Sequence, residues 1–142
     1  MTTESKATAI TVEAIVKAPV DKVWACWNEP THITKWAFAS DDWHVPYADN
    51  DLRKDGTFKT TMAAKDGSMS FDFGGVYTTV EPNKLIAYTI GDGRTVKVEF
   101  TPEGQNTRVV ETFEAETQNP IDMQRAGWQA ILDNFAKYTE AQ

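Results

Sequence analysis

The chain has 142 residues, one domain's worth where domains run roughly 100–150. Apolar residues make up 41% and charged residues 25%, which excludes a disordered, collagen-like or coiled-coil protein. Fourteen Lys and Arg against 21 Asp and Glu leave a net charge of −7, so phosphate backbones and anionic lipid are repelled, and neither nucleic-acid binding nor membrane insertion is expected.

Met1 to Lys6 is polar and is expected to fray. Ile10, Val12, Ala14 and Val16 alternate with other residues, the period of a strand. Ala18-Pro19 ends it, with Pro19 suited to the first turn of a helix. Val20, Val23, Trp24 and Trp27 then fall at i, i+3, i+4 and i+7, which predicts a short amphipathic helix. Asn28-Glu29-Pro30 breaks it and opens a second short helix with Ile33 and Trp36 on its apolar edge. No basic recognition helix follows, so this elbow is not a DNA-binding one.

From Trp43 to Ala115 the signal is strand after strand: Trp43–Ala48, Thr57–Ala64, Met69–Val80, Leu85–Ile90, Arg94–Thr101 and Thr107–Ala115. Turn signals separate most of them, among them Lys54-Asp55-Gly56, Lys65-Asp66-Gly67 and Gly91-Asp92-Gly93. Short turns force antiparallel neighbours, so the six strands form a meander. Gly74-Gly75 inside the longest strand predicts a bulge or a sharp bend. Asn119 is placed as a cap, Pro120 at the first helical position, and Asp122 against the helix dipole. Ile121, Trp128, Ile131, Leu132, Phe135 and Tyr138 recur at helical spacing over about nineteen residues, a stripe long enough to need one face of the sheet. The first strand is expected to pair with the last, completing seven.

The order β-α-α-β6-α, with Ala-Pro-Val-Asp-Lys-Val-Trp at 18–24, Phe73-Gly-Gly-Val-Tyr77 and Gly127-Trp128-Gln-Ala-Ile-Leu-Asp-Asn134, resembles the START-like (SRPBCC) superfamily with its helix-grip fold. Within it the last motif resembles the branch named for activators of the heat-shock-protein-90 ATPase. The resemblance implies an α+β fold: a curved seven-stranded antiparallel sheet wrapped on a long C-terminal helix, with a cavity between them closed at one end by the two short helices. One START-like domain is expected over residues 1–142, with an ordered core at about 8–139.

Alternation places Phe71, Phe73 and Tyr77 on one face of their strand, provided no bulge intervenes. Val96, Val98 and Phe100 share a face of theirs, and Val109, Glu111 and Phe113 a face of the last. Trp128, Ile131 and Phe135 come from the helix, Tyr88 from the fifth strand, and Trp43 with His44 from the expected mouth. Apolar walls with a few inward polar groups describe a small-molecule pocket, whereas a closed core is the alternative. Glu111 has three readings. Its carboxyl faces a ligand hydroxyl or amine, it meets a tyrosine hydroxyl such as that of Tyr77 or Tyr88, or the opposite face is buried and it is solvated.

No metal or cofactor is expected. His32, His44 and Cys26 lack zinc-ligand spacing, Asp49-Asn-Asp51 lacks the glycine and glutamate of a calcium loop, and Gly91-Asp-Gly93 lies between strands without a third glycine. Cys26 reads as a buried packing residue, and with no basic-then-apolar leader the chain fits the cytoplasm. Three functions follow: a carrier or sensor of a small apolar, aromatic or lipid-like molecule; a chaperone-binding ATPase activator; or a cyclase- or dehydratase-type enzyme using Glu111, His44 or Tyr77 as acid and base. The first leads, because no motif ties those groups to one reaction.

Overall fold

The computed structural model describes residues 8–142. The expectation for Met1 to Lys6 lies outside them. Strand β1 (Ala9–Val16) is followed by helices α1 (Val20–Asn28) and α2 (Pro30–Trp36). Six strands come next: β2 (Trp43–Asn50), β3 (Thr57–Ala64), β4 (Ser70–Glu81), β5 (Leu85–Ile90), β6 (Thr95–Glu103) and β7 (Asn106–Glu114). Helix α3 (Ile121–Glu140) closes the chain.

The strands form one antiparallel sheet in the order β1-β7-β6-β5-β4-β3-β2. It is the α+β helix-grip arrangement, with β1 joining β7 as expected. Pairing in register puts the inward residues in rows across the sheet. One row runs Ile10, Phe113, Val96, Tyr88 and Tyr77; the next runs Val12, Glu111, Val98, Ile86 and Val80. Most of these side chains are buried, and the residues between them point to solvent.

Several local expectations are corrected. Pro19 and Pro120 occupy N-cap positions with extended ψ of 156° and 147°, not the first helical turn; only Pro30 does that. Asn119 does not cap α3: its side-chain amide donates to Glu116 at 2.9 Å. Gln124, buried on α3, ties down that loop instead, accepting from the Glu116 amide at 2.9 Å and donating to the carbonyls of Glu116 and Asn119 at 3.1 and 2.8 Å.

Gly74 and Gly75 pair without a break against Lys59 and Phe58, so no bulge sits there. A Cβ on Gly74 would lie 2.6 Å from the Phe58 carbonyl oxygen; glycine lets the neighbouring backbone close in. The bulge in β4 lies between Tyr77 and Thr79, beyond Phe73 and Tyr77, which therefore keep the same face. A second bulge lies in β2 between His44 and Tyr47.

Helix α3 packs chiefly on β1, and α2 on β2, at opposite ends of the sheet. The middle strands pass beneath the space between these helices, and the cavity lies there.

Candidate functional site

The cavity has a volume of about 230 Å³. Its floor is β3, β4 and β5, with Glu111 of β7 at one side; its walls are α1, α2 and α3. Eight aromatic rings border it: Trp27, Trp36, Phe58, Phe71, Phe73, Tyr77, Tyr88 and Trp128. They brace one another edge to face. Phe58 meets Tyr88 at 4.8 Å between ring centres, Phe73 meets Trp128 at 6.1 Å, and Trp128 is stacked on Phe113 at 3.8 Å. Rigid rings held in this way leave a gap that flexible aliphatic chains would fill.

Seven of the residues expected to line the site border it: Phe71, Phe73, Tyr77, Tyr88, Glu111, Trp128 and Ile131. Six do not. Val98, Phe100, Phe113 and Phe135 are instead buried in the packed core. Phe135 packs edge to face on Trp27 and Trp36, both at 4.8 Å, and Phe100 lies against Trp24 at 5.2 Å. Trp43 is half-buried and rests on Phe71 at the rim, 5.8 Å between rings. His44 is exposed, because β2 turns it to the outer face opposite Ala63.

Glu111 is 5% exposed, which removes the solvated reading. Its sheet neighbours are Val12 and Val98, and neither carboxyl oxygen hydrogen-bonds to any described residue. The reading in which it meets a tyrosine hydroxyl is not what the structure has: Tyr77 donates to the Asn50 Oδ1 at 2.5 Å. Burial pushes the Glu111 carboxyl up to about 8, so it is largely protonated at neutral pH while the cavity is empty. Tyr88, buried but bordering the cavity, is pushed far above its ordinary value by burial and then by the nearby Glu111.

A second polar edge lies across the cavity. Asn50 accepts from Tyr77, and its Nδ2 donates to the Asn28 carbonyl at 2.7 Å. Asn28 Nδ2 donates in turn to the Trp24 carbonyl at 2.9 Å. Asn50 escaped the sequence reading because the bulge in β2 reverses its alternation: Trp43 and Val45 point inward before it, Ala48 and Asn50 after it. Phe58, Thr60 and Met62 were also missed, although their period-two spacing in β3 carried the signal. Trp27, Ile33 and Trp36 read as core, and what exposes them to the cavity is the placement of α2 over β2. Among the described residues, no three His, Cys, Asp or Glu side chains converge as a metal site would need.

The family model for Activator of Hsp90 ATPase homolog 1-like protein matches residues 17–140. Among solved structures, the AHSA1-like protein from Aeromonas hydrophila is 46% identical, with a TM-score of 0.89 over 94% of this chain and 93% of that one. A solution structure from Cytophaga hutchinsonii is 61% identical, with a TM-score of 0.81 over 93% and 92%. A crystal structure from Nitrosomonas europaea shares the fold at 20% identity, with a TM-score of 0.80 over 94% of each chain. None of the curated proteins matches the sequence. The chain belongs to the Activator of Hsp90 ATPase homolog 1-like family.

Proposed function

We propose that this member of the family binds a small ring-bearing molecule in the cavity beneath α2 and α3, as a carrier or sensor. The observation behind this reading is the unpaired, buried carboxyl of Glu111 bordering a ring-lined space of about 230 Å³. A buried carboxyl without a partner costs stability, and a ligand hydroxyl or amine would offset that cost. The volume lies below the roughly 300 Å³ at which pockets for drug-sized ligands begin, so it suits one ring with a short polar arm better than a lipid chain. The lone, buried Cys26 fits a reducing compartment such as the cytoplasm.

Titrating ¹⁵N-labelled protein with a panel of single-ring compounds tests the reading. Shifts confined to the Trp27, Trp36 and Trp128 indoles and the β3–β5 amides are expected. If no compound moves them, the reading fails. The family's name raises chaperone docking as a second reading. Stimulation of a chaperone ATPase by this chain alone would favour it.

A further inference from the structure

The polar groups around the cavity are unequal in kind. Glu111 and Asp49 border it, and among the described residues no Lys, Arg or His does. The amide nitrogens of Asn28 and Asn50 donate to backbone carbonyls, and the hydroxyl of Tyr77 donates to Asn50. Acceptors remain on the Glu111 carboxyl, the Asn28 side-chain oxygen and the lone pairs of Tyr77. Neutral donors remain as well, on the hydroxyls of Tyr88 and Thr60, the second amide N–H of Asn28 and of Asn50, and the indole nitrogens of Trp27 and Trp128. Neutral hydrogen-bonding groups of both kinds are thus present, and what sets the site apart is the sign of its charged side chains: carboxyls with no basic group beside them. The surrounding ring faces carry negative quadrupoles, which attract cations.

We propose that the occupant is a small organic cation, an ammonium on a short arm beside one ring, with its nitrogen seated against the Glu111 carboxylate. This rests on the ligand-binding reading above and narrows its chemistry. The proton count is definite. Empty, the site holds Glu111 as the neutral acid, because nothing nearby offsets its charge. When the ammonium enters, the carboxyl gives up its proton to solvent, and the resulting ion pair is neutral as a unit, the form a low-dielectric interior tolerates. The titratable groups facing Glu111 are Tyr88 from β5 and Tyr77 from β4. β1 and β6 present Val12 and Val98, and α3 presents Trp128 and Ile131, none of them charged. The protein's net charge of −7 also draws cations toward it.

The test compares 2-phenylethylamine with its neutral isostere 2-phenylethanol on the intact chain, by calorimetry in buffers of different ionisation enthalpy. The amine should release about one proton per molecule bound near pH 6.5, and its affinity should rise toward pH 8.5 as Glu111 ionises more readily. At the higher pH it should bind about tenfold tighter than the alcohol, as a charge-assisted hydrogen bond implies. Glu111→Gln should abolish the proton release and bring the two affinities together. Equal affinities in the unaltered protein, amine binding without proton release, or an amine preference that survives Glu111→Gln would each overturn the proposal. If the alcohol enters and the amine does not, the cation assignment alone falls. If neither enters, the ligand-binding reading falls with it.

Discussion

Glu111 lies between Val12 and Val98, neighbours that offer its carboxyl no hydrogen bond, and beside the rings that border the cavity. Its inward position was legible from Val109 and Phe113 two residues to either side. That it lacks a partner was not, because this depends on Tyr77 turning its hydroxyl to Asn50 on a strand whose register no alternation rule gives. The consequence is a particular pH dependence. Unfolded, a glutamate titrates at about 4.3. Folded, Glu111 titrates at about 8, so between the two the native state holds a proton that the unfolded state has lost. Its contribution to stability therefore falls as pH rises through that window, by about 5 kcal/mol in total, and is level below and above it. The carboxyls of Asp66, Asp92 and Glu116 are shifted down by hydrogen bonds and act in the opposite sense at low pH. Comparing the unaltered protein with Glu111→Gln isolates the one group. In urea unfolding without ligand, the variant should gain relative stability steadily from pH 5 to pH 8. Parallel curves would show that Glu111 is already ionised in the empty protein.

At the level of elements, two devices shape the site. The β2 bulge turns Asn50 inward, where it links Tyr77 of β4 to the end of α1. Asn50→Ala removes the acceptor of the buried Tyr77 hydroxyl and the donor to the buried Asn28 carbonyl, and should lower stability by about 1–2 kcal/mol in chemical denaturation. An unchanged midpoint would mean that water replaces both bonds at no cost. Gly74 lets β3 and β4 approach where the sheet passes under the cavity. Gly74→Ala presses a methyl toward the Phe58 carbonyl and should cost about 1–3 kcal/mol, read from the same curves. The strands themselves were legible, with ends shifting by no more than two residues, because period-two alternation and Gly-containing turns mark them directly. The helix starts were less so. Proline satisfies either an N-cap or a first turn by the same missing N–H, and composition does not separate the two.

Over the whole molecule, the grip is made by α3 resting at the β1 end and α2 at the β2 end of one curved sheet. The inward faces were readable strand by strand. Which inward residues border the cavity was not, because that is set by where the helices land: Phe135 and Phe100 are covered by indoles from α1 and α2, while Phe58 and Ile86 line the cavity. The central claim is that this uncovered part of the interior admits a ligand. An isotope-filtered NOE spectrum of the labelled protein with the tightest-binding single-ring compound tests it most directly. Contacts from the compound's ring protons to the side chains of Met62, Ile86 and Ile131 are the predicted result. Contacts only to outward residues such as Ile15 and Val76, or to none, would contradict it.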